Sequence, residues 1–376
     1  MGVGWMFRTI TKRIKRYPLA RRVLAGHEDA RHLKKSNRQP DDFHWQIGPR
    51  GPIQRVEPSC SQIGDQLYIF GGYMSLDTVS QRVDVLDLSQ QKWVRSSKLP
   101  AEIPQTHAGM ANDGRRYIFS VAGQVGPNCS PGVKSCFTFD TYDHQWHPLP
   151  DLPEVRYMPL VHYYDGRLHC FGGSKPDRCS PANDHWSLAI SDGTALESTW
   201  TPEPPLPEAR SHTASYMIGQ KLYVFGGQQT DVPPIPGNAE YTCNFNTPSD
   251  VVFEEVFSFD LKTHVREDLA PMPVPLSHNE HATIKIGQQI VICGGTRDRT
   301  VLSDVVQVYD IANDRWRSIG TLPYPMKSTV AAWHDGKLFI VNGQRAVSAT
   351  DLRPGEVTDS VWITNVDLTT GELDEH

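Results

Sequence analysis

A short pattern recurs along most of this chain: an apolar, β-rich stretch that ends in two small residues. The first copy reads LYIFGG, and the second small residue returns after 51, 50, 54, 68 and 48 residues. A period of this length indicates one supersecondary unit per copy, stacked into a repeat architecture. The six pairs are Gly71-Gly72, Ala122-Gly123, Gly172-Gly173, Gly226-Gly227, Gly294-Gly295 and Asn342-Gly343.

The residues that follow each pair also repeat. A variable loop leads to another β-rich stretch, then to a turn, a tryptophan in four copies, and Leu-Pro or Met-Pro. Each copy therefore supplies four short antiparallel strands, which stack as blades around an axis because they cannot bury both faces alone. The sequence predicts an all-β, six-bladed β-propeller in which the glycines and tryptophans have structural roles. The tryptophans are Trp93, Trp146, Trp200 and Trp316.

The segment just before the first repeat is expected to close the ring. Trp45 stands there in FHWQIGPRGP, whereas the last repeat ends after VWITNVDL without a tryptophan. We therefore predict that residues 43–47 form the outer strand of the sixth blade, which leaves no open edge between the first and last blades. Residues 1–42 are then a basic extension or targeting segment, and residues 43–376 are a single propeller.

This combination of glycine pairs, spaced aromatic residues and tryptophans resembles the kelch repeat over residues 44–368. The stretches GRLHCFGGSKPDR and GKLFIVNGQR are similar to a group of plant kelch proteins also described as galactose oxidase-like. The resemblance implies a Golgi or endomembrane lumen. A cytoplasmic location is the alternative, because the sequence lacks the N-terminal anchoring helix of that group.

Charge is divided unevenly along the chain. Residues 1–43 hold 11 Lys/Arg against 4 Asp/Glu, and the remainder holds 26 against 39. An acidic body argues against nucleic acid as a partner, because binding phosphates requires clustered basic residues. The sequence contains no run of about 18 apolar residues, the length that a helix needs to span a bilayer. Residues 1–22 form a basic amphipathic pattern, which fits a transit peptide, peripheral membrane contact or a solvated tail.

Two pairs of cysteines bracket short turn-rich stretches. Cys129 with Cys136, and Cys170 with Cys179, would close small disulfide loops in an oxidising compartment and remain thiols in the cytosol. Cys293 lies in an apolar run and is expected to be buried.

Polar residues stand where each inner strand begins, and these strands should line the central channel. As acid, base and anchoring groups we select His107, Arg156, Tyr157, Arg210, His212, His278 and Glu280. Further polar residues begin other inner strands or follow the small-residue pairs. Arg and Gln suit carboxylates or sugar hydroxyls, because they offer a planar donor fork and a combined donor and acceptor. The predicted ligand-binding residues are Arg55, Gln124, Lys175, Gln228, Arg297, Lys327, Gln344 and Arg345.

These positions also have a structural interpretation, in which they bond to neighbouring blades. In the run His278-Asn279-Glu280-His281, strand alternation would place His278 and Glu280 on one face and His281 on the other. Only two of these three side chains would then meet in one site.

Two functions remain open at this stage. The first is a monomeric binding module that recognises a protein partner or a glycan-like or anionic small ligand at the channel mouth. The Pro-rich stretch of residues 228–255 offers an extended contact surface. The alternative is a cofactor-free acid–base enzyme of the isomerase or cyclase type. A bacterial kelch propeller that interconverts sialic acid anomers supports this alternative by analogy of fold.

No cofactor or metal is expected. A metal site needs at least three convergent ligands, and the sequence offers no spacing typical of one. Phosphate-binding loops, dinucleotide fingerprints and nucleophile elbows are missing from the sequence as well.

Overall fold

The computed structural model describes residues 43–75, 77–128, 131–178, 180–229, 252–298, 300–366 and 368. All of them lie in one compact unit, Asp42–His376, which consists of six antiparallel sheets arranged as the blades of a propeller. The prediction of a six-bladed, all-β propeller is confirmed. No helix in the described residues is long and apolar enough to cross a membrane.

Each blade has four main strands, which follow one another from the axis outwards. Blade 1 has Ser59–Ile63, Gln66–Phe70, Arg82–Asp87 and Lys92–Lys98, and blade 2 has Gly109–Asn112, Tyr117–Gln124, Gly132–Asp140 and Trp146–Leu149. Blade 3 has Leu160–Tyr164, Arg167–Phe171, His185–Ser191 and Thr201–Glu203, and blade 4 has Ala214–Ile218, Lys221–Phe225, Val256–Asp260 and Arg266–Leu269. Blade 5 has Thr283–Ile286, Gln289–Asp298, Val301–Asp310 and Arg315–Thr321, and blade 6 has Val330–His334, Lys337–Ala346, Pro354–Asn365 and Gln46–Ile47.

Shorter elements decorate the blades. A 3-10 turn, Glu280–Ala282, precedes the inner strand of blade 5. Thr194–Ala195 adds to the third strand of blade 3, and Met326–Lys327 pairs with the second strand of blade 6. Tyr73–Ser75 and Thr78–Val79 form a hairpin in the loop of blade 1.

The core lies between adjacent blades. Leu67, Ile69 and Leu86 of blade 1 pack with Val330 and Phe339 of blade 6, and all five side chains are buried. Both faces of a central strand are covered in this arrangement, which explains why the second strands read as continuous apolar runs rather than alternating ones.

The small-residue pairs lie at or near the ends of the second strands, where each blade meets the next. Gly71 has a φ of +59°, and a Cβ there would lie 1.9 Å from the carbonyl oxygen of Gln105 in blade 2. A side chain is therefore excluded both by the backbone conformation and by the contact. Asn342 takes the equivalent left-handed conformation in blade 6 with a φ of +58°, which asparagine tolerates better than most residues.

The N-terminal segment closes the ring as predicted. Gln46 and Ile47 pair antiparallel with Ile363 and Trp362 of blade 6. The Trp45 indole donates a hydrogen bond of 2.8 Å to the carbonyl oxygen of Thr321, at the end of blade 5. The same contact to the preceding blade recurs from Trp93 to Pro49, from Trp200 to Pro150 and from Trp316 to Ala270.

We expect Trp45→Phe to lower the free energy of unfolding by about 1 kcal/mol, because it removes one indole hydrogen bond and keeps most of the ring packing. Trp316→Phe is the matched control, since its indole makes the equivalent bond between blades 5 and 4. Urea denaturation of both variants measures the effect. A loss in Trp316→Phe without one in Trp45→Phe would show that the closing contact contributes nothing.

Several sequence-based predictions fall outside the described residues. These are the basic extension of residues 1–42, including its amphipathic stretch of residues 1–22, most of the Pro-rich stretch (residues 230–251), and the cysteines Cys129 and Cys179. Among the described cysteines, Cys136, Cys170 and Cys293 are buried free thiols.

Candidate functional site

The axis is surrounded by one residue from each blade, and we call these six residues the axial ring. Each has a left-handed backbone, with φ between 46° and 57°, which is uncommon for residues other than glycine. This conformation turns the amide toward the neighbouring blade: Met158 N donates to His107 O at 2.8 Å, and Ser328 N donates to His278 O at 3.0 Å. The axial ring consists of Glu57, His107, Met158, His212, His278 and Ser328.

The side chains of the axial ring form a buried polar cluster. Glu57 Oε2 lies 3.1 Å from His107 Nε2, and the Arg178 guanidinium lies 3.3 Å from the same nitrogen. His212 and His278 stack with ring centroids 3.9 Å apart. The four ionisable side chains of the axial ring therefore come together from four different blades.

Burial and the neighbouring charges shift the pKa of the Glu57 carboxyl group in opposite directions. Burial alone would raise the pKa of its carboxyl group, but His107, Lys327 and His278 outweigh burial and hold the pKa well below its usual value. Burial lowers the pKa of His107, Arg178 lowers it further, and the attraction of Glu57 only partly offsets both. At neutral pH the Glu57 carboxyl group is therefore ionised.

Three predicted site residues are directed into the blades instead. Arg55 pairs with the buried Asp84, Arg156 pairs with Asp184, and Arg210 donates to the carbonyl oxygens of Gly226 and Glu255. Each of these arginines stands two positions before the axial-ring residue of its blade. At that position the side chain enters the core of its own blade. Their described contacts are structural, as in the alternative interpretation of these positions.

Most of the remaining predicted residues lie around the end of the axis where the inner strands begin, which we call the loop face. Gln124 donates to the Tyr73 hydroxyl at 2.6 Å and accepts from Arg178 at 3.1 Å, and Arg178 also lies over the Tyr157 ring. Gln228, Tyr157 and Lys327 are buried, Gln344 is half-buried, and Lys175, Arg297 and Arg345 are exposed.

A larger cavity lies elsewhere on the axis. It has a volume of about 560 Å³, is bordered by the inner strands of all six blades, and extends from Glu280 to Gly64. It opens on the turn face, the side that carries the turns after the inner strands, such as Gly64-Asp65 and Gly166. Of the fifteen predicted site residues, only Glu280 lines this central cavity.

The walls of the central cavity are polar. Each inner strand pairs on one side only, so its other edge turns unpaired backbone groups toward the axis. Some of these groups are bonded by side chains of the next blade: the Gln62 amide donates to Trp333 O at 2.7 Å and accepts from Trp333 N at 3.2 Å. His162 Nε2 lies 2.8 Å from Ser215 Oγ. Such a lining favours a ligand that forms many hydrogen bonds.

Blade 5 departs from the other blades at the inner end of the cavity. In blade 4, Ala214 follows the ring residue His212 by two positions and pairs with Phe225, two residues before the second glycine. In blade 5 the residue equivalent to Ala214 is Ala282, four positions after His278. The 3-10 turn accommodates two additional residues, and Glu280 and His281 both line the cavity.

The expected strand alternation over residues 278–281 is therefore wrong, because this segment forms a turn rather than a strand. Burial lowers the pKa of His281, and Glu280 raises it by a smaller amount. His281, His162 and Trp333 were not predicted as site residues. The signal for His281 was present in the sequence: the interval from ring residue to second glycine is two residues longer in blade 5 than in blade 4.

A small chamber separates the axial ring from the central cavity. Its volume is about 10 Å³, close to the room that one water molecule needs, and Glu57, His212, Glu280, His281 and Ser328 border it. The axial ring thus closes the channel on one side, and Glu280 and His281 form the boundary between the closed and open parts.

The central histidines and carboxylates do not converge as metal ligands. Among the described residues, the one group whose ligand atoms come close enough is Asp140, Asp143 and His147. Asp140 already accepts two hydrogen bonds from Arg116, so this group is an ordinary surface cluster.

Comparisons with known proteins agree with this architecture. A family model described as the KLHDC2/KLHL20/DRC7 Kelch-repeats domain matches residues 107–343, and the Kelch motif matches residues 54–100. "Kelch repeat-containing protein At3g27220" of Arabidopsis thaliana is 35% identical over 331 residues, which are 86% of this chain and 76% of that protein. "Kelch-like protein terF" of Aspergillus terreus is 24% identical, over 84% of this chain and 68% of that protein.

A solved structure, "Structure of YjhT", superimposes with a TM-score of 0.64 over 86% of this chain and 98% of that one. At 16% identity this likeness concerns the fold alone. The repeat, the blades and the family match lead to one conclusion: the chain belongs to the kelch-repeat proteins.

Proposed function

We propose that this propeller is a binding module whose central cavity takes a small polar ligand through the turn face. Kelch propellers typically serve as interaction modules, and a small ligand in the channel is the specific form that we infer for this chain. The observation that carries the proposal is the central cavity itself. Its volume of about 560 Å³ falls within the range of known small-molecule sites, roughly 300–1,000 Å³.

The chemistry of the walls supports a hydroxyl-rich ligand. Asn112, His162, Ser215 and the unpaired strand edges offer donors and acceptors, and Tyr216 and Trp333 add aromatic surface. Burial lowers the pKa of His162 to about 3, so its imidazole is neutral at physiological pH. Lys175 and Arg297, which were predicted for an anionic ligand, lie on the loop face and do not border the cavity, whereas Lys285 of the inner strand of blade 5 does.

We expect at least one member of a panel of neutral sugars, sugar acids and amino sugars to raise the melting temperature. A ligand at 100 times its dissociation constant stabilises the folded state by about 2.7 kcal/mol. The variant Met217→Trp, which narrows the cavity, should abolish the shift. Val265→Trp is the control, because Val265 is 59% exposed and does not border the cavity.

The same samples separate the two candidate functions. Nuclear magnetic resonance spectra of the bound ligand would remain unchanged for a binding module, and they would reveal a new isomer if Glu280 and His281 act as base and acid. A panel without any shift, or a shift that persists in Met217→Trp, would contradict a ligand site in this cavity.

A further inference from the structure

Glu280 differs from buried aspartates of the blades that pair with arginines. Asp84 pairs with Arg55 and Arg82, and Asp140 pairs with Arg116. Glu280 has a side chain that is only 13% exposed, yet within the described chain its one polar partner is His212, whose Nδ1 donates to Oε1 at 2.9 Å. A carboxylate removed from water is costly unless a cation or several donors compensate it.

The position of Glu280 explains why no arginine pairs with its carboxylate. The two additional residues of blade 5 bring it to the inner end of the central cavity, beyond the reach of the arginines that serve the blades. His212 holds one carboxylate oxygen from the side of the axial ring. The second oxygen has no hydrogen-bond partner among the described residues, and a group inside the cavity can reach it.

Aromatic rings border the same cavity. Tyr163, Tyr216 and Trp333 all contribute to its walls, and Tyr163 is held by stacking on Phe119 with ring centroids 5.5 Å apart. Aromatic faces attract cations through their negative quadrupole and also pack against the C–H faces of sugar rings. A carboxylate with aromatic walls forms a site suited to a cation.

We propose that the central cavity selects a polyhydroxylated ligand that carries a protonated amine, an amino sugar in chemical class, with the amine bound to Glu280. The inference rests on the proposed function and adds the ligand class to it. The hydroxyl groups of such a ligand bond to Asn112, His162 and the free strand edges. His212 acts as a positioning residue, because it holds the Glu280 carboxylate in place from the closed side of the channel.

The test compares four hexose derivatives: glucosamine, glucose, N-acetylglucosamine and glucuronate. Saturation-transfer nuclear magnetic resonance and titration calorimetry at pH 6.5 measure their binding to the full-length protein. We expect glucosamine to bind about tenfold more tightly than glucose, as for a hydrogen bond to a charged group. Glucuronate should bind most weakly, because its carboxylate is repelled by Glu280.

The variant Glu280→Gln removes the charge and keeps an oxygen that accepts from His212. It should erase the preference for glucosamine over glucose while the affinity for glucose changes little. Glu102→Gln is the control, since Glu102 is exposed and does not border the cavity. An unchanged melting temperature of both variants without ligand would exclude unfolding as the cause.

The outcomes separate the inference from the proposed function. Equal binding of glucose and glucosamine, or a preference that survives in Glu280→Gln, overturns the role of Glu280 and leaves the cavity a polar ligand site. A lack of binding by all four probes overturns both proposals. Tighter binding of glucuronate than of glucosamine overturns the inference and would favour an anionic ligand.

Discussion

We expect Arg55→Met to lower the free energy of unfolding by about 3–5 kcal/mol, the usual cost of removing one partner from a buried ion pair. Asp84 is completely buried, and the variant would leave it with the half-exposed Arg82 and the Ser96 hydroxyl as its remaining partners. The carbonyl oxygen of Gly71 would lose a donor as well. Urea denaturation followed by tryptophan fluorescence measures the change.

Two further variants make this expectation specific. Arg50→Met removes an ion pair to Asp359 in which the arginine is 82% exposed, and it should cost less than about 1 kcal/mol. The double variant Arg55→Met/Asp84→Leu should recover part of the loss, because no buried charge then remains unpaired. A stable Arg55→Met variant that has lost affinity for a ligand would contradict the structural role and restore the predicted binding role.

The architecture was predictable because every blade of a propeller meets the same packing requirements at its neighbours. A pair of small residues, Gly-Gly in four of the six blades, recurs where each blade meets the next, so the period is visible in spite of the variable loops. The closing strand was predictable for a related reason. Trp45 had no repeat of its own, and the sixth repeat lacked the tryptophan that its neighbours use to bond the preceding blade.

The site was less predictable because adjacent residues at the start of an inner strand point in different directions. Arg210 enters the core of its blade, whereas His212, two positions later, belongs to the axial ring. A list of polar residues at this point of each repeat therefore mixes structural arginines with axial groups. Only alignment on the second glycine separates the two registers, since every strand pairing is counted from it.

Glu280 and His281 stand out as two additional residues of blade 5 only in an alignment on the second glycine. A buried polar cluster, such as Glu57 with His107, contributes to closing the channel whether or not a ligand binds. An additional turn that places a carboxylate without a cationic partner in a cavity has no such structural benefit. Departures from a repeat that cost stability locally are expected where a protein carries out its function.

The remaining prediction concerns acid stability and rests on blade 3. The Nδ1 of His185 donates to Pro204 O at 3.2 Å, so its Nε2 accepts from His169 Nδ1 at 3.0 Å. Burial lowers the pKa of His169 to about 4, with Glu203 partly opposing it, and burial together with His169 lowers the pKa of His185 to about 3. Both histidines are therefore neutral in the folded protein at pH 5.

An unfolded histidine has a pKa of about 6.5, so between pH 6.5 and about 4 the unfolded chain binds protons that the folded protein does not. The free energy of unfolding is unaffected by this pair above pH 6.5 and falls as the pH decreases, by about 2 kcal/mol per histidine at pH 5. Denaturation of the wild type and of His169→Phe/His185→Phe at pH 7 and pH 5 measures the difference, which should shrink by about 4 kcal/mol in the double variant. Phe171→Leu alters the packing beside His185 without removing a proton site, so it should lower stability equally at both pH values. If the double variant loses as much stability on acidification as the wild type, these histidines already carry charge in the folded blade, and acid sensitivity arises in other groups, such as His162.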